Sequence, residues 1–312
     1  WTGTGFGAAA NWIGGFCAGT VRAGDYNGDG KTDLQCGYSV AVGGTPKVRG
    51  DLMYSVSNGI GGSTQVTYAP STDYSSLNGA STKHVISSIS QNDGRGGIDV
   101  TSFAYENSFE DDKEKKWNGF SKVTTTHPKI GNETVGPKTI TGYIVQGPAA
   151  GSVDWVESRD GLNRLLSYTK NTYVTSDVGN RQTSLLSMVE NERYDGTTSA
   201  RCTIWPCANG RRTKVTYAYD GTYGNLTTSV NFGDVDITGD EVTSSHSYSP
   251  NAAAYIVGLS SSSSQFEGTA PSGNMLTSSR RGFDGAASSA TPGGRSWRRP
   301  SGSPPVLACS RC

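Results

Sequence analysis

The sequence predicts an all-β protein built from antiparallel hairpins, and three observations carry that expectation. Glycine is abundant, at 42 of 312 residues; Tyr is the commonest aromatic, at 15; and the AVILMFWYC set makes up only 34% of the chain. Many turns, many Ser, Thr and Tyr, and few long apolar runs suit half-exposed strands better than helices. Short alternating segments also recur every ~10–20 residues with polar, glycine-bearing turns between them. Disordered chains tolerate such a composition but lack so many regularly placed aromatics.

The bulk properties narrow the function classes. Lys plus Arg equals Asp plus Glu, at 27 each. A nucleic-acid binder or a membrane-surface protein usually carries a basic excess. No run approaches the roughly 18 apolar residues of a membrane helix, so direct membrane insertion is not expected. The length is enough for one large or two ordinary domains. The chain opens at Trp1 with no Met, basic segment or apolar leader, and reads as internal to a longer protein. The six Cys fall into close pairs: Cys17 with Cys36, Cys202 with Cys207, and Cys309 with Cys312. Local pairing fits an oxidising, secreted setting, and reduced incidental thiols are the alternative.

In chain order, residues 1–45 are Gly-rich, with aromatics at Trp1, Phe6, Trp12 and Phe16. Gly43-Gly44-Thr45-Pro46 reads as a loop and a boundary. Met53 to Ser57 and Thr64 to Tyr68 then flank the glycine turn Asn58-Gly59-Ile60-Gly61-Gly62, which makes a hairpin. Val85 to Ile89 and Ile98 to Tyr105 repeat the pattern around Asn92-Asp93-Gly94-Arg95-Gly96-Gly97. Further strands are expected at Phe120 to Thr126, Thr139 to Val145, Arg164 to Tyr173 and Thr183 to Arg193. Three more follow at Thr213 to Tyr219, Leu226 to Phe232 and Glu241 to Tyr248. The mixed-charge run Glu110 to Lys116 reads as a solvated loop or single turn. From about Ala286 the style changes to Ser, Ala, Gly, Pro and Arg. Residues 286–312 read as disordered, in a composition that a shifted reading frame would also produce. Their closing Cys309-Ser310-Arg311-Cys312 lacks the second ligand pair of a metal site and the βαβ context of a redox motif.

One motif is sharp. Asp25-Tyr26-Asn27-Gly28-Asp29-Gly30-Lys31-Thr32-Asp33 places oxygen side chains at loop positions 1, 3, 5 and 9. Gly30 supplies the turn, and Lys31 offers its backbone carbonyl. Asp25, Asn27, Asp29, Lys31 and Asp33 are therefore the candidate ligands of one structural Ca2+. Cys36 stands where an EF-hand places its bidentate Glu, so Asp33 would close the site. Neighbouring carboxylates repel one another until a cation neutralises them, so binding would fold the loop. A metal-free Asp/Asn/Gly turn is the plainer reading.

Gly24 to Leu34 resembles the FG-GAP/VCBS repeat loop, which implies a calcium-binding blade at the end of a β-propeller. Tyr219-Asp220-Gly221-Thr222-Tyr223-Gly224-Asn225-Leu226-Thr227 resembles the Rhs/YD repeat, with Thr222 as an insertion. Asp160 to Ser167 is similar to a degenerate copy, with Asn163 where Gly is common. Such a repeat is a strand, a Gly-Asn turn needing positive φ, and a second strand. Stacked copies would make a wall and not a pocket. These segments, with Asp51 to Gly62, Thr67 to Thr72, Asn118 to Val123 and Ala254 to Leu259, occur in an order that resembles the middle of the B component of insecticidal toxin complexes (Tc toxins) and of SpvB-like proteins. The resemblance covers roughly residues 1–285. It implies one propeller blade at 1–45, followed by an antiparallel Rhs/YD-type hairpin shell at 46–285. It also implies a secreted bacterial protein, and as partners a C component that completes the hollow shell and a pore-forming A component.

Catalysis is not expected. His84, His127 and His246 are scattered, and the sequence has no nucleophile elbow, HExxH or phosphate loop. The competing class is an adhesin or carbohydrate-binding module, because Tyr and Trp on sheets can stack on sugars. That class predicts aromatics exposed on one face. A shell predicts them packed between hairpins, which Trp117, Trp155 and Trp205 report.

Overall fold

The computed structural model describes residues 19–43, 52–79, 81–131, 133–178 and 181–283. Almost all regular structure is antiparallel β, as composition and alternation predict. The helical elements among the described residues are two single 3-10 turns, Ser71–Asp73 and Ala252–Ala254. None is long and apolar enough to cross a bilayer. The 286–312 tail, most of the Gly-rich start, and Cys17, Cys309 and Cys312 lie outside the described residues.

The chain divides into two compact units. The first holds residues 1–152 and 160–163. In it, β1 (Val21–Gly24), β2 (Asp33–Cys36) and β3 (Ser39–Ala41) form a three-stranded sheet. A longer sheet follows in strict chain order: β4 (Ser55–Ser57), β5 (Ser63–Pro70), β6 (His84–Asn92), β7 (Ile98–Asp111), β8 (Lys116–Thr126) and β9 (Lys138–Tyr143). The second unit holds β10 (Val153–Arg159), β11 (Leu165–Val178), β12 (Arg181–Tyr194), β13 (Gly210–Tyr219), β14 (Leu226–Asp234), β15 (Val242–Tyr248), β16 (Ser260–Glu267) and β17 (Met275–Arg280), again each beside its chain neighbour. Hairpins closed by local turns give this order directly, since each strand finds its partner before any distant one.

Several strands show no alternation in burial, and β7 alternates only between half-buried and exposed. Positions along β6, β8, β10 and β14 are mostly half-buried. A sheet with one face on a core would alternate fully buried with exposed. Among the described residues the buried apolar ones are correspondingly few: Phe120, Val145, Ala149, Leu165 and Phe283. Aromatic packing supplies local anchors. In the first unit, Tyr105 and Phe120 pack at 4.7 Å between ring centres, with Tyr74 and Trp117 edge-on around them. Tyr74 comes from the 71–79 segment, which bridges onto β7 through Ser108.

The charged run is the tip of the β7–β8 hairpin. Its turn spans 112–115; Asp111 Oδ1 accepts from the Lys113 and Glu114 amides, and Lys115 takes φ +51°. β10, β16 and β17 were not expected from the sequence. β16 reads Ser-Ser-Ser-Ser-Ser-Gln-Phe-Glu and has no apolar alternation to betray it. It is a strand because β15 and β17 pair with it on either side.

Candidate functional site

Two features bear on function: the Asp/Asn loop between β1 and β2, and a device that recurs at several of the hairpins. In the loop, Asp25 Oδ1 accepts from the Gly28 and Asp29 amides, and its Oδ2 from Gly30. Asn27 Oδ1 accepts from the Asp29 amide, and Asp29 Oδ1 from Lys31. Asp33 accepts from the Tyr26 amide at 2.9 Å and the Gly43 amide at 2.7 Å. The Gly43 contact comes first among the influences that hold its carboxyl below the ordinary range; burial opposes it, and the Tyr26 and Asn27 amides assist. Asp29 and Asp33 are buried, at 4% and 0% exposure. Gly28 and Gly30 take φ of +74° and +78°, which L-residues avoid.

The expected ligands are thus brought into one small loop. They form an all-oxygen set of the kind a hard cation takes, and each carboxylate keeps lone pairs beyond those its amide contacts use. Among the described residues, however, no three His, Cys, Asp or Glu side chains converge as a metal ion requires. The donor types fit calcium; convergence would require the side chains to turn inward from their amide partners. The loop also rests on the longer sheet of its unit. The Thr72 hydroxyl donates to the Gly28 carbonyl, and the His84 ring lies against Gly30. Cys36, beside the loop, is disulfide-bonded.

The hairpin device has two parts. At the turn, a side-chain oxygen accepts from following amides. Asp220 accepts from Thr222, Tyr223 and Asn225 at 2.9, 2.6 and 2.8 Å, which lowers its carboxyl, the Tyr223 amide first among the causes. Gly224 takes φ +74°. Asp160 accepts from Leu162, and Asn163 takes φ +64°, the left-handed conformation expected of a position where Gly is common. Asn58, Asp93 and Asp195 cap their turns in the same way.

At the strand, a tyrosine hydroxyl bonds back to a carbonyl one strand earlier. Tyr68 donates to Met53, Tyr105 to Ile86, Tyr173 to Val153, Tyr219 to Leu186 and Tyr248 to Leu226, at 2.6–3.0 Å. Tyr68, Tyr173, Tyr219 and Tyr248 stand where the register toward the next strand shifts by a bulge. A bulge leaves one residue outside the ladder and re-aims its side chain, here onto the preceding strand. Desolvation pushes the hydroxyls of Tyr219 and Tyr248 up, and that of Tyr105 to about 12, so they stay protonated donors. Tyrosine abundance hinted at this, but the hydroxyl partners lie 15–33 residues away.

The histidines do not meet. His84 begins β6, His127 follows β8 with its ring against the Thr139 hydroxyl, and His246 lies in β15. Trp117, Trp155 and Trp205 each pack against another ring. A hollow of about 660 Å3 lies beside the 220–224 turn, lined by Val174, Leu185, Tyr217, Tyr219 and Tyr223 among others. It arises because the turn 220–224 stands over the β11–β13 face.

Residues 8–147 match the family model described as the insecticide toxin TcdB middle/N-terminal region. No curated protein matches the chain. Among solved structures, a Photorhabdus luminescens Tc holotoxin pore is similar at TM-score 0.60 and 12% identity, over 85% of this chain and 18% of that one. TcdB2-TccC3 is similar at TM-score 0.55 and 12% identity, over 80% and 17%. TcdB2-TccC3 without its hypervariable C-terminal region gives 0.57 and 13%, over 83% and 17%. At these identities the likeness is one of fold. The chain spans less than a fifth of the length of the solved chains it resembles.

Proposed function

We propose that this chain is a non-catalytic wall segment of a secreted bacterial toxin-complex B component. The observation that carries the reading is the neighbour-paired antiparallel sheet, latched strand to strand by tyrosines, whose fold likeness to TcdB2-TccC3 covers 80% of the chain. The family match over residues 8–147 supports the same reading. On it, the β4–β17 region is Rhs/YD-type shell that encloses a toxic polypeptide together with a C component. The β1–β3 sheet is then the end of a propeller that docks the shell on a pore-forming A component. Asp25, Asn27, Asp29, Asp33 and the Lys31 carbonyl would hold a structural Ca2+ that neutralises the loop carboxylates and stiffens this end. The Cys202–Cys207 disulfide suits secretion into an oxidising medium.

Co-expression with a C-component polypeptide tests the proposal. A joint particle that shields the C component from protease is the expected result. Separate elution of two folded proteins would refute it. The hollow beside Tyr217, Tyr219 and Tyr223 favours the adhesin or carbohydrate-binding alternative, which predicts retention on an immobilised glycan panel.

A further inference from the structure

The connection between β12 and β13 carries a cap that strand pairing does not require. Register aligns Tyr168, Glu192 and Arg212 in one lateral row across β11, β12 and β13. Glu192 is buried in that row, with its side chain 6% exposed. The 195–209 connection folds back over it. Arg201 reaches both Glu192 oxygens, at 2.5 and 3.0 Å, and its guanidinium lies 3.6 Å over the Tyr168 ring. The Tyr194 hydroxyl donates to Glu192 at 2.6 Å and accepts from the Cys202 amide at 3.1 Å. Trp205 packs against the Tyr194 ring and carries the Arg212 guanidinium 5.2 Å from its ring centre. The Arg212 Nε is buried there without a hydrogen-bond partner.

The cap is held by one covalent closure, Cys202–Cys207. Arg201 adjoins the first cysteine and Trp205 lies within the ring, so both contacts depend on its shape. The cysteines are half-buried and Ile204 between them is 80% exposed, so a small reductant can reach the bond.

We infer that this cap is a redox-released clamp: the disulfide keeps Arg201 on Glu192 and Trp205 on Arg212, and a dithiol that reduces it frees the cap from the β11–β13 face. The exchange balances. One thiolate of the dithiol attacks a protein sulfur and releases one cysteine; its second thiol then attacks the mixed disulfide and releases the other, so that Cys202 and Cys207 each end as a protonated thiol. One S–S bond breaks in the protein and one forms in the reductant. Once the ring is open, the cap regains its chain entropy, and the Glu192 and Arg212 charges gain water whenever it lifts. Closure entropy for a ring this short corresponds to about a 30-fold increase in opening.

Hydrogen exchange on the full chain reads this out, with a Cys202→Ser/Cys207→Ser variant that leaves the Cys36 disulfide intact. Exchange should rise about 30-fold in peptides spanning 165–169 and 190–195, and stay unchanged in 98–105. Dithiothreitol on the unsubstituted chain should reproduce the rise, and on the variant should add nothing in those peptides. A rise confined to 202–209 would overturn the inference, because the bond would then brace only its own loop. So would a non-reducing digest in which Cys202 and Cys207 are unlinked in the secreted protein. If the variant does not fold, brief dithiothreitol treatment of the native chain, followed by alkylation, puts the same two outcomes to the test.

Discussion

Arg201→Met isolates the electrostatics of the buried carboxylate on β12. Methionine keeps an aliphatic stem over Tyr168 but removes the guanidinium from Glu192. Unpairing a buried carboxylate costs about 3–5 kcal/mol where both partners are buried. The Arg201 side chain is 44% exposed, so water had already screened part of the attraction. About 2 kcal/mol is the corresponding figure here. Loss of the cation over the Tyr168 ring adds about 0.5–1 kcal/mol, for a total of about 3 kcal/mol at neutral pH.

The pH dependence has a definite sign. Burial pushes the Glu192 carboxyl up, but the Arg201 and Tyr194 hydrogen bonds and the Arg201 and Arg212 charges outweigh it, and it titrates below its ordinary 4.5. A depressed carboxyl contributes stability that is present above 4.5 and lost as pH falls through its folded value. In the variant, burial dominates and protonation relieves the strain. The gap between parent and variant should therefore be largest at neutral pH and narrow as pH falls below the ordinary 4.5. Urea titrations followed by tryptophan fluorescence, at pH 7 and pH 4, measure it. An equal gap at both pH values would show that lost packing, and not an unpaired carboxylate, carries the cost.

Three further outcomes follow from the geometry. Tyr219→Phe removes the donor to the Leu186 carbonyl and should cost about 1 kcal/mol in chemical denaturation, with faster exchange at the β12–β13 pairing; Tyr217→Phe, which makes no such latch among the described contacts, should cost less. Asn163→Val, a β-branched residue forced to φ +64°, should be less stable than Asn163→Gly by about 1–2 kcal/mol in chemical denaturation. Calorimetric titration of Ca2+ into the full chain should give saturable one-site binding that Asp29→Ala abolishes; no heat with the folded parent would leave the loop as a hydrogen-bonded turn.

Much of the fold was legible locally. The expected segments at 64–68, 85–89, 98–105 and 120–126 became β5, β6, β7 and β8, and the five from 164 to 248 became β11 to β15. Observed strands often run longer than the alternating core, as β7 does through Asp111, because ladder bonding continues past the last apolar residue. β16 was invisible because serine carries no periodic signal. In the candidate site, the loop donors could be named from spacing alone, but their present hydrogen bonds to loop amides and to Gly43 could not. The spacing of Cys202 and Cys207 left a disulfide and reduced thiols both open, and the role of the bond over Glu192 was not legible at all.

The sequence by itself determined the antiparallel class, the positions of most turns and the residues able to cap them. Alternation, positive-φ glycines and Asx caps act within a few residues, so they can be read along the chain. The tertiary structure alone decided which carbonyl each tyrosine latches and which row Glu192 enters. It also decided what the 195–209 connection covers. Those choices depend on register, and a bulge such as that at Thr172 and Tyr173 shifts register by one residue. A one-residue shift sends every later side chain to the other face, and no local pattern records where it falls.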